Sequence, residues 1–530
     1  MNKKILYTAI LLSFIFTSFI LYNENNFPKD GNPVISFAQI NGNNISTYFQ
    51  NNGVFNRDPF HGNGAFEWPT GSSKFLRYAS GLWIGAKVGN DTLIAVTVYS
   101  SEYLPGFINI NGEPEGKDDP NFKVYKIVKG DTLSKDYMNW PVSQGAYLDT
   151  LGKPIMPGTQ TIFYSYTDGY PEAHTNNGGS TAPLKAQVQV TTWCYNDYPP
   201  TEMRNVLFSE FKIINKNSLH WNDSYFTIWS DDTQDEHIAI GSDSTKNLIF
   251  SYCFASSQNY GLNPPSYAFL LLKGPEVYTG NPYDTVYSFI PGQSQRKTKI
   301  GYKEIKLSST QVYNNADPIN GDPHNYKETY VSMQGIRRSG TNWINPITNT
   351  ITKFPYSGDP ESGTGWNQFT LQGFGNRRLQ MNIGNLNLNP GDTQTIVIAQ
   401  IVSQGTTNLN SVTKLKQSAE YVQNVFDNNF TTVGIDPISN SLPSEFNLHQ
   451  NYPNPFNPKT IINYELGIKN YVSLKLYDVL GNEVVTLVNE KQSTGSYKVE
   501  FDGSNFASGV YFYKLEAGNF SETKRMILLK

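Results

Sequence analysis

The sequence predicts a mainly β protein, with several β-sandwiches along one chain and a single helix near residues 411–428. Among 530 residues, 34 Tyr and 31 Phe stand against only 16% charged residues, which is too much ring area for a disordered chain and favours pleated sheet. Turn formers are dense, with 57 Asn, 43 Gly and 30 Pro. Short runs rich in β-branched and aromatic residues recur between them. At this length the chain holds about three or four domains of ordinary size and buries a large core. Lys plus Arg number 41 and Asp plus Glu 45, a balance of −4 with no polyphosphate-seeking surface, so nucleic acid is not an expected partner.

Taken in order, Lys3 and Lys4 precede an uncharged apolar run from Ile5 to Tyr22, closed by Asn23, Glu24, Asn25 and Asn26. Residues 1–22 read as a secretory signal. The alternative is a retained anchor, because the run approaches the length that crosses ~30 Å of hydrocarbon. Ser36-Phe37-Ala38-Gln39 offers a later cleavage candidate. No cysteine lies near the run, which excludes a lipoprotein anchor, and no second long apolar stretch follows. Export makes Cys194 and Cys253 candidates for a disulfide, with two buried thiols as the alternative.

Residues 39–438 form a β-rich cargo region, divisible on sequence into one β domain or two, at about 39–195 and 196–430. Leu93–Tyr99, Gln187–Trp193, Val206–Ile214, Tyr225–Trp229 and Thr393–Val402 read as strands bounded by Gly, Asn, Asp or Pro. Between Ser411 and Asn428, the residues Val412, Leu415, Ala419, Val422 and Phe426 share one helical face, and Ser411 is the N-cap candidate. No fixed-period repeat points to a propeller or solenoid.

From Ser441 the texture becomes short alternating segments separated by turns, as in a small sandwich of six or seven strands. In Tyr471–Tyr477, Val472, Leu474 and Leu476 alternate with Ser473 and Lys475. Glu483–Val488, Ser496–Phe501, Gly509–Leu515 and Phe520–Leu529 behave alike. Three prolines within Asn451-Tyr452-Pro453-Asn454-Pro455-Phe456-Asn457-Pro458 predict an extended, hydrogen-bond-poor lead-in, part of a Pro-rich linker at 439–459.

That octapeptide, then Leu476-Tyr477-Asp478-Val479-Leu480-Gly481, then Ser508-Gly509-Val510-Tyr511-Phe512-Tyr513, then Lys524 through Lys530 resemble the C-terminal sorting domain of type IX secretion cargo. The resemblance implies an immunoglobulin-like module at about 460–530, with Gly509, Tyr511, Lys524 and Lys530 among its signature positions. It also implies partners: the outer-membrane translocon and a sortase-like peptidase that joins cargo to surface polysaccharide. The protein is then secreted or attached to the outer cell surface. Phe66–Pro69, Ser80–Gly85, Tyr356–Pro360, Gly363–Trp366, Asn389–Asp392 and Gln400–Gly405 resemble uncharacterised secreted proteins carrying the same sorting domain, so the cargo reads as one recurring unit.

Chemical signals in the cargo are sparse. Asp231, Asp232, Asp235 and Asp243 concentrate oxygen ligands around one loop, a candidate calcium site without EF-hand spacing. Asp317 through Asp322 is a weaker second cluster. None of His61, His174, His220, His237, His324 and His449 stands in a zinc-binding helical pair, and neither a Gly-x-Ser-x-Gly elbow nor a phosphate-binding glycine loop occurs. Glu67 beside Trp68 and Glu102 beside Tyr103 are the acids nearest to rings, as a glycoside hydrolase would need. Trp68, Trp83, Trp140, Trp221, Trp343 and Trp366 could line a carbohydrate-binding face or serve as core anchors. The balance favours a non-catalytic cargo with a binding or structural role outside the cell, a carbohydrate or protein being its candidate ligand, needing no cofactor beyond structural calcium; the alternative is a secreted hydrolase acting on polysaccharide or protein.

Overall fold

The computed structural model describes residues 31–198, 201–232, 237–293, 297–315, 317–368, 377–430, 446–468, 470–492 and 495–529. The segment 1–22, Asp235, residues 439–445 and Lys530 lie outside these. The chain divides into two compact units, Met1–Thr431 and Thr432–Lys530.

In the first unit the principal strands are β1 (Ala79–Val88), β2 (Asp91–Ala95), β3 (Tyr125–Val128), β4 (Gln160–Thr167), β5 (Ala186–Cys194), β6 (Val206–Asn215) and β7 (Trp221–Asp232). They continue with β8 (Ile238–Asp243), β9 (Leu248–Cys253), β10 (Ser266–Lys273), β11 (Leu307–Asn314), β12 (Arg377–Leu388) and β13 (Thr393–Ser403). A nine-stranded antiparallel sheet runs β3-β4-β5-β6-β13-β10-β9-β8, with Leu104–Pro105 added beside β4. A five-stranded sheet runs β11-β12-β7-β1-β2. The main core lies between them: Leu82 and Ile84, Phe226 and Ile228, and Met381 from the small sheet meet Val188, Phe211, Phe269 and Ile398 from the large one.

Both sheets are covered outside as well. The helix α1 (Tyr326–Met333) packs Tyr330 and Met333 on Trp83, Ile94 and Tyr225 of the small sheet. Gly85 permits this approach, because a Cβ there would meet Met333 Sδ at 2.9 Å and Ile94 at 2.8 Å. The helix α2 (Asn410–Asp427) lays Val412, Leu415, Ala419, Val422 and Phe426 on the opposite face of the large sheet. This double cover explains the run Ile396-Val397-Ile398-Ala399 in β13, whose even positions face the inter-sheet core and whose odd positions face α2.

Several expectations change here. Strands from either side of residue 195 interleave, β1 pairing with β7 and β5 with β6. The Ser36–Gln39 cleavage candidate overlaps Phe37–Ile40, a strand paired with Thr47–Gln50. Ser411 is not the N-cap of α2; it lies inside the helix, its hydroxyl donating to Pro264 O at 2.9 Å, while Thr407 Oγ1 accepts from Asn410 N. The helix α1 was not foreseen. Its signal is a capping box at Asn325 and Glu328: Asn325 Oδ1 accepts from the Glu328 N–H, and Glu328 Oε2 accepts from the His324 N–H.

The second unit is a seven-stranded antiparallel sandwich among the described residues: β14 (Asn447–Leu448), β15 (Lys459–Leu466), β16 (Asn470–Tyr477), β17 (Glu483–Gln492), β18 (Gly495–Asp502), β19 (Gly509–Ala517) and β20 (Phe520–Leu528). One sheet is β14-β15-β18 and the other β17-β16-β19-β20. The apolar positions of β16 foreseen from alternation, Val472, Leu474 and Leu476, are fully buried between the two.

Candidate functional site

A cleft of about 450 Å³ opens on the outer face of the five-stranded sheet, a size suited to a small ligand. Its aromatic lining comes from β1, β7, β11 and the segment after β2, which bring Trp83, Trp229, Tyr313 and Tyr99 together. Trp83 and Trp229 stack at 6.0 Å and 15°, and Tyr99 meets Trp229 edge-on at 5.5 Å. The indole N–H groups are satisfied inside, Trp83 donating to Thr97 O at 2.7 Å and Trp229 to Tyr313 OH at 2.8 Å. Asn176, Asn177, Asn315, Asp322 and His324 add the polar lining.

Beneath the rings the charges are committed to one another. The Tyr99 hydroxyl donates to Asp231 and accepts from Arg378 at 2.7 Å. Arg378 also lies 3.7 Å from Asp231 and 3.0 Å from Asp322. Burial pushes the Asp231 carboxyl up to about 6 although Arg378 pulls it down. The Asp322 carboxyl is likewise raised by burial, against the pull of Arg378 and Arg338. Asp231 is only 2% exposed and is sealed from any ligand. Arg338 donates to His324 Nε2 at 2.9 Å and to Pro318 O and Asp322 O, which ties the segment after β11 into place. The lining also holds Thr329, whose hydroxyl donates to Gly178 O, with Asp322 as its carboxylate and His324 as its imidazole; of its rings, Trp83, Trp229 and Tyr313 form a buried floor and Tyr99 is partly exposed.

Glu102 serves this cleft as scaffolding. Fully buried, it accepts main-chain N–H groups of Val96, Asn176 and Ser180, and so fixes the loop that presents Asn176 and Asn177. Gly179 is required there, since a Cβ would fall 2.1 Å from Glu102 Oε2. The His174 ring lies 3.8 Å from Glu102 and 3.6 Å from Asp168, whose carboxyl burial pushes up to about 7. All three are buried. Glu67 accepts from Ser73 N at 2.6 Å and closes a turn.

The other candidates scatter. Asp231 and Asp232 point to opposite sides of β7, toward Arg378 and Arg77 respectively, as successive strand residues must. Asp243 caps a short turn, accepting from Thr245 N. Among the described residues no three metal-ligating side chains converge. Asp317 holds its own turn through Ile319 N and Asn320 N. Cys194 and Cys253 are not joined: β6, β13 and β10 stand between their strands, putting them roughly 19 Å apart at ~4.8 Å per strand. Burial pushes the Cys194 thiol up to about 12. The six tryptophans considered for an exposed carbohydrate face are core or loop anchors, none above 8% exposed, and Trp83 reaches the cleft only as part of its buried floor.

The proline-rich octapeptide is not the hydrogen-bond-poor linker its composition suggests; it is folded onto the second unit. Tyr452 exchanges main-chain hydrogen bonds with Ile461. Phe456 N donates to Ile527 O, and Leu529 N donates back to Phe456 O, both at 2.9 Å. Asn454 Oδ1 accepts from Ile527 N at 2.8 Å, and Asn451 donates to Thr460 Oγ1 and Pro453 O. Pro458 O accepts from Gly503 N. The two asparagines thus supply hydrogen bonds that the prolines cannot. The motif clamps the last strand, and Phe456 plugs the core. Residues 450–529 match the secretion system C-terminal sorting domain.

The sorting domain marks the chain for export across the outer membrane by the type IX machinery, to a secreted or surface-attached state. Within it Tyr511 OH bonds back to Ala507 O at 2.8 Å near the start of β19, the geometry of a tyrosine corner in immunoglobulin-like sandwiches. Tyr513 OH donates to His449 O and accepts from Asn451 N. Gly509 begins β19, and Lys524 pairs with Glu522 at 3.0 Å.

No curated protein matches the chain. Among solved structures it is similar to a polysaccharide lyase at 7% identity and TM-score 0.26, over 95% of this chain and 47% of that one. The chain therefore spans about half the length of that lyase. It is also similar to the adhesin domain of Epf from Streptococcus pyogenes, at 5% identity and TM-score 0.13, over 66% of this chain and 94% of that one. At these TM-scores neither likeness carries a fold or an activity across.

Proposed function

We propose that the exported cargo is a surface binding protein that holds its ligand, without turning it over, in the cleft on the outer face of the five-stranded sheet. The observation that carries this reading is the state of the cleft's charges: Arg378 engages Asp231, Asp322 and Tyr99, Asp231 is buried, and Asp322 is left as the single partly exposed carboxylate of the lining, where glycoside hydrolysis uses a pair. A general acid or base needs reach to its substrate. Rings and amides, by contrast, are what a binding pocket needs. The export route adds a sortase-like peptidase and covalent attachment to surface polysaccharide as proposed partners.

The test is the full-length secreted protein applied to an array of polysaccharides and peptides. The wild type is retained, and Asn177→Ala combined with His324→Ala weakens retention by about tenfold, roughly the loss of one or two hydrogen bonds. Both side chains are exposed, so the melting temperature stays within a degree or two. Release of new reducing ends or peptide termini by the wild type, lost in that variant, would establish the hydrolase reading instead.

A further inference from the structure

A second concavity, on the opposite side of the cargo unit, has a different chemistry. Between β10 and β11 the chain makes an excursion of two nested two-stranded ladders, Glu276–Tyr278 paired with Tyr302–Glu304 and, inside it, Thr285–Tyr287 paired with Thr298–Ile300. Phe289 meets Phe426 of α2 at 4.8 Å and anchors the excursion beside the helix. The groove between them measures about 860 Å³.

Its two walls are unlike. The hairpin wall presents Tyr283, Tyr287 and Tyr302. Tyr283 is 91% exposed, on a turn fixed by Asn281 Oδ1 accepting from Tyr283 N and Asn281 O accepting from Asp284 N. Tyr287 is 54% exposed, because its neighbour Val286 takes the inward position of the strand. The helix wall presents Glu420, Gln423, Asn424 and Asp427, with Leu272, Ala419 and Phe426 adding apolar lining. Four lysines and four carboxylates line the groove, a net charge of zero. Three of those lysines are already paired: Lys246 with Glu420, Lys273 with Glu276, and Lys306 with Glu304.

We infer that this groove is a binding site for a neutral oligosaccharide. A pyranose ring has an apolar C–H face and a hydroxylated edge, matching one wall of rings and one of amides and carboxylates. The paired charges leave no surplus for a polyanion, which separates a neutral glycan from a uronic-acid polymer. The volume accommodates a few sugar units and exceeds what a single small metabolite needs. The assignment stands independently of the cleft, which lies on the other sheet.

The test is calorimetric titration of the full-length protein with neutral hexaoses of glucose, xylose and mannose, and with hexagalacturonate. The expected result is micromolar to millimolar binding of at least one neutral hexaose, unchanged between 50 mM and 500 mM salt. Tyr283→Ala and Tyr287→Ala each weaken it about fivefold, the loss of one stacked ring, and neither shifts the melting temperature. Asn177→Ala with His324→Ala in the cleft leaves it unchanged. Three results overturn the inference: no neutral hexaose binding, binding indifferent to both tyrosines, or binding of hexagalacturonate alone with steep salt dependence.

Discussion

Arg77→Ala is expected to lower the unfolding free energy of the cargo unit by about 3–5 kcal/mol. Arg77 is fully buried where the two sheets meet. Its Nη1 lies 2.7 Å from Asp232 at the end of β7, its Nη2 donates to Ser251 of β9 at 2.7 Å, and its guanidinium sits 3.9 Å from the centre of the Tyr267 ring on β10. Truncation therefore takes the guanidinium from a carboxylate that stays buried, and opens a cavity under Tyr267. Arg77→Ala with Asp232→Ala should cost less than the sum of the two single changes, because the double variant buries no orphaned charge. Denaturant titration of the three variants checks this; additivity would show that the pair contributes nothing of its own.

Phe456→Ala is the second large effect, about 3–5 kcal/mol on the sorting domain. Phe456 is buried among Phe501, Leu528 and the close-packed backbone at Gly503, and its main chain holds the last strand. Tyr452→Ala, four residues earlier in the same motif, should cost less than about 0.5 kcal/mol, since that ring is 69% exposed. Calorimetry of the full chain distinguishes them: Phe456→Ala lowers the transition of the C-terminal unit and leaves that of the cargo in place. Equal effects of the two substitutions would contradict the role given to Phe456.

The strands were legible where one rule governed them. Period-two alternation located β16 to β20, and β-branched runs located β5, β6 and β13, because a side chain's face follows from its position alone. The five apolar positions of α2 were legible for the same reason at helical period. Pairing between distant strands was not, since nothing local records that β1 lies beside β7. Adjacent acids misled for a related reason: Asp231 and Asp232 look like one site in sequence and face opposite sides in a strand. The octapeptide misled because its prolines announce an extended backbone, while Asn451 and Asn454 restore hydrogen bonds through their side chains. Ring type was also a poor guide to exposure. The tryptophans went to the core and loops, and among the described residues the most exposed of the large rings is Tyr283, in a segment with no strand signal of its own.

The fold of the C-terminal unit and its match to the sorting domain together make export the central claim. The most direct measurement deletes residues 442–530 and follows the cargo by cell fractionation and surface protease digestion. The account predicts a folded cargo retained in the periplasm and protected from added protease. Truncated cargo at the cell surface or in the medium, in the amounts seen for the intact chain, would contradict it.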